Sequence, residues 1–510
     1  MELQVHILPD EYWYGLCVDK GGDFPLSASS TFHWHATTQF SGNQEAPFLV
    51  SSMGRYLWSE SPYDVDAENG TLTITNAADD LTLHEGYQTL RGAYLDAYNR
   101  YFHHTEGVGV LPPRDFFIKP QYNTWAELIY DQTSERILAY ARAILANGLP
   151  AGIMMIDDGW MRYYGSREFN QNTIPDPGAL VRELHDMGFT VMLWICPFVS
   201  PDSAEFRDLE AKRYLVRDRD GNTAIRHWWN GYSAVVDLSH PDAYRWFYDN
   251  MRYLQTEYGF DGFKMDAGDV YFYRDDDCTY GNVTAHEQCA LWEKLGAQFP
   301  YNEFRASYKG AGLPLVERLC DKAHRWDSLP KLVTDILAQG ILGFPYGCPD
   351  MIGGGSFMDF LPGAPSLDPE LFVRYAQCAA LMPMMQYSAG PWRVLDKTHA
   401  AYCLDAGRIH MEFADEILAI AENAAKTGEP IVRYLEYVFP HEGLAAVTDA
   451  FLLGDRILVC PVLSKNADTR TREVLLPRGT WRYVDGTCYT GGTTVTVGAG
   501  IDMLPYFIRV

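Results

Sequence analysis

The chain has 510 residues, of which 47% are hydrophobic and 14% aromatic, and a formal net charge of −26. The length predicts about three domains, and the composition is that of a folded globular protein. The negative charge argues against nucleic acids and anionic membranes as partners. Ten scattered cysteines without a CxxC pair indicate reduced thiols rather than a disulfide framework or a zinc site.

Targeting and metal signals are weak. The sequence begins Met-Glu-Leu-Gln-Val-His, without a basic region followed by an apolar run, so we expect no secretory signal and a cytoplasmic location. There is no run of about 18 apolar residues, so no membrane span is expected. The adjacent His103 and His104 are too isolated to predict a metal site.

The first predicted domain, residues 1–112, is rich in short alternating segments and turn residues. Residues 71–75 read Thr-Leu-Thr-Ile-Thr, and residues 79–84 continue the alternation after a turn. Alternation of this kind predicts an antiparallel β-sandwich. Leu111-Pro-Pro-Arg marks its end.

Short apolar strands and helical segments then alternate over residues 113–410. One helical stripe contains Ile137, Ala141, Ile144 and Leu145. Another contains Tyr244, Phe247, Met251 and Leu254. Eight β-α alternations predict an α/β protein with a (β/α)8 TIM barrel. A doubly wound sheet is the rival, but no Gly-rich phosphate loop follows any strand. The predicted strands are 116–119, 152–157, 190–195, 262–266, 304–307, 323–327, 341–345 and 384–388.

The last predicted domain, residues 411–510, is a helix followed by a C-terminal β-sandwich. Residues 450–463 read as a strand, a Gly-Asp turn and a second strand. Three further alternating segments follow it, at 473–477, 481–484 and 493–497.

Carboxylates at strand ends carry the functional signal. Residues 259–269 read as a short buried strand that ends in Lys264 and Asp266, and a second carboxylate, Asp327, ends a later predicted strand. Buried charge is costly unless it is paired or used. Two enclosed carboxylates are what hydrolysis of a glycosidic bond requires. Ion pairs that hold loops together are the alternative explanation.

Several motifs resemble glycoside hydrolase family 31, the retaining α-glycosidases, and within it the branch that contains the myogenesis-regulating glycosidase. The resemblance covers nearly the whole chain, and the motifs are specific in combination. They are Ile156-Asp-Asp-Gly-Trp, Leu193-Trp-Ile-Cys-Pro-Phe, His227-Trp-Trp-Asn-Gly, Phe263-Lys-Met-Asp-Ala-Gly-Asp and Pro349-Asp-Met-Ile-Gly-Gly-Gly.

This resemblance implies a retaining, two-step mechanism without a metal or other cofactor. It gives Asp266 as the nucleophile and Asp327 as the general acid/base, with Asp321 as a nearby competitor for the second role. A retaining pair lies about 5–5.5 Å apart. Lys264 would keep the pKa of Asp266 low, or form a salt bridge with Asp266 or Asp269.

Other residues are expected to bind the substrate. Asp157 or Asp158 would bond sugar hydroxyls, and Arg305 would bind a hydroxyl or a carboxylate. Asp350 would bind the sugar or orient Arg305. The pocket would be shaped by Trp194, Trp229 and Trp392.

Two departures from the common family pattern bear on the substrate. Many α-glucosidases have Asn-Glu where this chain has Gly268-Asp269, and Gly where it has Trp326. The expected substrate is therefore an oligosaccharide or glycoside with a terminal α-galactoside, with an α-glucoside or α-xyloside as the alternative. The absence of a basic cluster disfavours a sulfonated sugar. A sugar-binding pseudoenzyme and a transglycosylase stay open, as does homo-oligomerisation.

Overall fold

A barrel of eight parallel strands forms the centre of the molecule. The structure, a computed structural model, describes residues 2–36, 39, 41–102, 108–465 and 470–510; the His103-His104 pair lies outside them. The last barrel strand pairs with the first, and the others follow chain order, so the sheet is nearly closed. The predicted α/β barrel is confirmed. Its strands are Gln121–Asn123, Ile153–Ile156, Thr190–Ile195, Gly262–Met265, Tyr301–Phe304, Glu317–Arg318, Gly347–Cys348 and Gln386–Tyr387.

Amphipathic helices cover the barrel. In Pro241–Tyr258, the predicted stripe residues Phe247, Met251 and Leu254 are buried, and a proline at the start favours the first turn. Thr133 caps the helix Ser134–Ala146 by accepting a hydrogen bond from the backbone N–H of Arg136. The other long helices around the barrel are Pro177–Asp186, Ala285–Gly296, Leu329–Ile341 and Pro369–Ala380.

Four predicted strands were misplaced by a few residues. The segment 116–119 belongs to the helix Asp115–Ile118, and the first strand follows it. The predicted strand at 323–327 is a loop, because the sixth strand is Glu317–Arg318. The strands predicted at 304–307 and 341–345 are Tyr301–Phe304 and Gly347–Cys348. The error in the sixth strand changes which carboxylate stands at the strand end.

An antiparallel sandwich precedes the barrel, as predicted. Its two four-stranded sheets enclose a core that includes Trp13, Leu49, Val65 and Leu72. The helix Leu90–Tyr101 leads towards the barrel. One sheet contains Leu3–His6, Thr71–Thr75, Asp64–Glu68 and Phe32–His35; the other contains Trp13–Cys17, Glu45–Ser51, Tyr56–Trp58 and Thr82–His84.

The chain ends in two helices and a second β region. The helices are Lys397–Glu412 and Ala414–Thr427. The strands Thr471–Leu475 and Thr494–Gly498 form a separate antiparallel pair. The predicted domain boundaries at 112/113 and 410/411 stay predictions. The main sheet contains Val432–Arg433, Phe451–Leu453, Ile457–Val459, Tyr506–Arg509, Thr480–Tyr483 and Cys488–Thr490.

A small three-stranded sheet interrupts the barrel between its third and fourth strands. It consists of Phe198–Val199, Ile225–Trp228 and Gly231–Val235. Trp228 pairs with Gly231 across a two-residue turn, so Trp229 and Asn230 stand at the hairpin tip. All ten cysteines are unpaired. Across the described ranges, no helix has both the length and the apolar character needed to cross a membrane.

The loop after the fourth strand depends on Gly268. Its φ is +77°, and a Cβ there would lie 2.2 Å from the Trp292 ring. We expect Gly268→Ala to lower the free energy of unfolding by about 1–2 kcal/mol from the left-handed backbone and by a further ~1–3 kcal/mol from overpacking. Gly148→Ala is the control, since Gly148 has φ +81° and open space around it. Urea denaturation of both variants checks this, and equal losses would contradict it.

Candidate active site

A cavity of about 480 Å³ opens at the carboxyl ends of the barrel strands. This is the end at which barrel enzymes carry their chemistry. The structure brings seven of the ten predicted site residues into its wall and leaves Asp327, Asp350 and Trp392 outside. The seven are Asp157, Asp158, Trp194, Trp229, Lys264, Asp266 and Arg305.

A buried ion pair forms part of the wall of this cavity. Lys264 Nζ is 2.6 Å from Asp157 Oδ2, and both side chains are about 4% exposed. The predicted salt bridge from Lys264 to Asp266 or Asp269 is therefore replaced by one to Asp157. The pairing compensates both buried charges.

Asp266 is held by two donors at the end of the fourth strand. Trp194 Nε1 donates to Asp266 Oδ2 at 2.8 Å, and the backbone N–H of Ala267 donates to Oδ1 at 3.0 Å. Burial raises the pKa of Asp266, but the charges of Lys264, Arg305 and Arg318 outweigh it and lower the pKa to about 2. The carboxylate is thus ionised at any physiological pH, as a nucleophile must be.

Asp158 links the barrel to the hairpin tip. Its Oδ2 accepts hydrogen bonds from Asn230 Nδ2 at 2.6 Å and from the Tyr164 hydroxyl at 3.0 Å. The Tyr130 hydroxyl donates to Asn230 Oδ1 at 2.8 Å. Burial and the charge of Asp157 raise the pKa of Asp158 to about 7, although Tyr164 and Asn230 lower it. A carboxyl with this pKa can accept or donate a hydrogen bond to a sugar hydroxyl near neutral pH.

Arg305 joins three parts of the chain beside the cavity. Its Nε donates to Asp269 Oδ1 at 3.1 Å and to the carbonyl of Gly42 at 3.4 Å. Its guanidinium carbon lies 5.0 Å from the centre of the Trp229 ring, within cation–π distance. The predicted partner Asp350 does not contact it, and Asp269 takes that place.

The predicted position of Asp327 at the end of a barrel strand is wrong, and Asp327 does not line the cavity. Its side chain is 69% exposed and forms a surface ion pair with Arg325. Asp321, three residues after the sixth strand, lines the cavity that contains Asp266. The cause of the error is the misplaced strand, because a strand ending at 327 would have put Asp327 at the barrel end.

Arg318, at the end of the sixth barrel strand, contacts the carboxylates of Asp321 and Asp350. Its Nη1 is 2.7 Å from Asp321 Oδ1 and 3.5 Å from Asp350 Oδ1. Asp350 is itself buried and accepts hydrogen bonds from the backbone N–H groups of Lys322 and Gly355. Asp350 therefore supports the loops around the cavity and orients Arg318, instead of lining the cavity.

Trp392 also lies outside the cavity. It stands in the short helix Pro391–Val394, half-buried, with its ring 6.3 Å from that of Tyr140. The backbone N–H of Gly390 is bonded to Glu127, which fixes this turn against the outer helices. Trp392 is a packing residue.

Sequence reasoning missed part of the cavity wall. Trp125 and Tyr130 follow the first strand, which was predicted too early in the sequence. Arg318 ends the sixth strand, which was predicted too late in the sequence. Phe357 and Met358 come from the long loop after the seventh strand, where no pattern signals a pocket. Among the described residues, no group of three or more His, Cys, Asp and Glu side chains could hold a metal ion.

Two family models match the chain. Residues 119–402 match the TIM-barrel domain of glycosyl hydrolases family 31, and residues 428–510 match the C-terminal domain of that family. The first match covers more than half of the chain. The protein therefore belongs to glycoside hydrolase family 31, as its motifs predicted.

Relatives agree with this membership. The myogenesis-regulating glycosidase of Mus musculus is 32% identical over 421 residues, which are 79% of this chain and 57% of the mouse protein. The 1,3-alpha-isomaltosidase of Kribbella flavida is 27% identical over 376 residues, 66% of this chain and 50% of that protein. The matched residues thus span about half the length of either relative.

A solved structure shares the fold. The dextranase FjDex31A of Flavobacterium johnsoniae, complexed with glucose, superposes with a TM-score of 0.85 at 20% identity. The match covers 100% of this chain and 66% of the dextranase chain. The likeness shows that the barrel and both flanking β regions are one conserved architecture.

We expect Asp158→Asn to stabilise the protein at neutral and alkaline pH. The pKa of about 7 in the folded state exceeds the ~3.9 of an unfolded Asp, so the folded state binds more protons between these values and loses stability as pH rises. The variant should gain about 2–4 kcal/mol over wild type at pH 8, and the gain should vanish near pH 4. Urea denaturation at several pH values measures this. Asp327→Asn, at the exposed surface, is the control, and parallel profiles of Asp158→Asn and wild type would refute the expectation.

Proposed function

We propose that the protein is a retaining exo-α-glycosidase that removes a terminal sugar by double displacement. The observation that carries this proposal is that Asp266 and Asp321 line one cavity at the catalytic end of a family 31 barrel. Asp266 is the proposed nucleophile, and Asp321 is the proposed general acid/base.

In the first step, Asp266 attacks the anomeric carbon and Asp321 protonates the departing oxygen. Partial burial and the charge on Asp266 raise the pKa of Asp321, whose side chain is 42% exposed, but Arg318, Arg305 and Lys264 prevail and lower it in the free protein. A bound sugar excludes water from the cavity, and desolvation favours the neutral acid. Substrate binding thus prepares Asp321 to donate its proton.

In the second step, water attacks the anomeric carbon while Asp321 takes its proton, and the bond between that carbon and Asp266 breaks. Once Asp266 is esterified it carries no charge, so it no longer raises the pKa of Asp321. The carboxylate form is then favoured, as general-base catalysis requires. A change in charge at one residue thereby changes the role of the other.

The wall of the cavity supports binding of a sugar. It includes the buried pair of Lys264 and Asp157, which supplies polar partners for hydroxyl groups. We keep α-galactosides as the best candidate substrates, on the branch resemblance of the motifs, and α-glucosides or α-xylosides as the alternative. Relatives are named as an alpha-xylosidase, an alpha-glucosidase and a sulfoquinovosidase, so the choice of sugar requires measurement. Cytoplasmic location and oligomeric state stay predictions.

A panel of nitrophenyl α-galactoside, α-glucoside and α-xyloside tests the activity. We expect turnover of one of them, and Asp266→Ala should reduce it by about 10³-fold or more, since the covalent route is removed. Binding of a sugar without any turnover would instead identify a pseudoenzyme. Analysis of products at high substrate concentration would reveal transglycosylation.

Substitutions at Asp321 and Asp327 separate the two acid/base candidates. Asp321→Ala should lower hydrolysis of an α-linked disaccharide about 10²- to 10⁴-fold, because a sugar leaving group needs the proton. Hydrolysis of nitrophenyl glycosides should fall less, because nitrophenolate leaves without protonation. Added azide should accelerate the variant, because azide attacks the covalent intermediate in place of water and needs no base. Asp327→Ala, which alters only a surface ion pair, should stay within about twofold of wild type. The reverse pattern would restore Asp327 to the catalytic role.

A further inference from the structure

A second open cavity lies beside the proposed active site. Its volume is about 600 Å³, and its wall includes Lys20 and Gln39 from the N-terminal sandwich and Tyr271 and Arg274 from the loop after the fourth barrel strand. No step of the proposed hydrolysis uses these residues. The two domains that form this cavity also meet at Arg305, beside the first cavity.

Aromatic rings connect the two cavities. The ring of Trp229, in the wall of the first cavity, lies 5.7 Å from that of Phe272. Phe272 in turn lies 5.4 Å from Tyr271, in the wall of the second. One loop therefore carries Asp266 at its start and Tyr271 five positions later, where the short 3-10 turn Val270–Phe272 exposes the tyrosine.

Tyr271 presents its ring to solvent. The residue is 65% exposed, whereas Phe272 beside it is 5% exposed. Phe272 thus fixes the position of the turn, and Tyr271 is left as an exposed aromatic surface in the wall of the second cavity. Single exposed apolar side chains are common, but this one is linked through Phe272 to Trp229 in the wall of the first cavity.

The groups around Tyr271 suit a neutral, hydroxyl-rich ligand. Lys20, Arg274 and Gln39 supply donors, and Asp19 supplies an acceptor, so cationic, anionic and neutral side chains share the wall. A sugar ring offers an apolar face for an aromatic ring and hydroxyls for such neighbours. A strongly charged ligand would instead meet groups of both signs.

We propose that this second cavity binds the leaving-group side of an oligosaccharide, at sugar units beyond the one next to the cleaved bond. The inference rests on the proposed glycosidase function, and it names the substrate class as a glycan chain rather than a small glycoside. Trp229 contacts the first sugar of the leaving group, and Tyr271 contacts a later one.

Kinetics against chain length test the proposal. Melibiose, raffinose and stachyose extend the leaving group of a terminal galactose, and isomaltose, isomaltotriose and isomaltotetraose do so for glucose; the nitrophenyl panel decides which series is used. Wild-type kcat/KM should rise with chain length. Tyr271→Ala should lower kcat/KM about three- to tenfold for the longest substrate and leave the nitrophenyl glycoside unchanged.

Tyr280→Ala is the matched control. Tyr280 is 67% exposed and its ring lies 4.3 Å from His240, away from the wall of either cavity. It should behave as wild type on every substrate. Equal losses on short and long substrates, or no dependence on chain length in wild type, would overturn the proposal.

Two further measurements test the second cavity even if the protein shows no glycosidase activity. Without any turnover, titration calorimetry with stachyose and isomaltotetraose still applies, and binding that Tyr271→Ala weakens about threefold or more supports a glycan site. The absence of such binding would reject the site. Sedimentation of wild type and Tyr271→Ala tests the rival occupant, because a change in association state with unchanged kinetics would show an interface between copies of the chain.

Discussion

The buried ion pair between Lys264 and Asp157 is the interaction on which the catalytic end of the barrel depends. Burial lowers the pKa of Lys264, yet the charge of Asp157 prevails and raises it, so the ammonium stays charged inside the barrel. That charge is the strongest influence that lowers the pKa of Asp266. Removing Asp157 would leave a buried cation without its partner, and removing Lys264 would weaken the ionisation of Asp266. The same contact therefore supports both the fold and the proposed nucleophile.

The N-terminal sandwich is a second constraint, because it forms hydrogen bonds to the barrel strands next to Asp321. Asn43 Nδ2 donates to the carbonyls of Arg305 and Arg318 at 2.6 and 3.1 Å. Gln44 Nε2 donates to the Arg305 carbonyl and to buried Glu317 at 2.9 and 2.7 Å. These bonds fix the backbone at the ends of the fifth and sixth barrel strands, and Asp321 follows three residues after the sixth. A barrel without the sandwich would lose these partners and leave buried carbonyls unsatisfied.

The sequence predicted what its periodicity and motifs encode. The barrel and the cavity residues Asp157, Asp158, Trp194, Lys264 and Asp266 follow from strands whose apolar runs are long enough to locate, such as Thr190–Ile195. Trp229 and Arg305 come from the family resemblance instead. Glu317–Arg318 contains two charged residues and spans only two positions, so no apolar run identifies it as a strand. The error passed directly to the acid/base, because the strand predicted at 323–327 ended at Asp327. Tyr130 and Met358 reach the cavity wall through loop conformations that no local sequence pattern specifies.

The electrostatics of the cavity explain why Asp321, rather than a more isolated carboxyl, suits a residue that must change roles. Asp327 is paired with Arg325 at the surface, where solvent screens it from events in the barrel. Asp321 lies in the field of Arg318, Arg305 and Lys264, which favour its ionised form, and of Asp266, which opposes it. Because the charge of Asp266 opposes ionisation of Asp321, loss of that charge on glycosylation would favour the carboxylate form of Asp321. A residue that senses the nucleophile in this way needs no movement to serve first as acid and then as base.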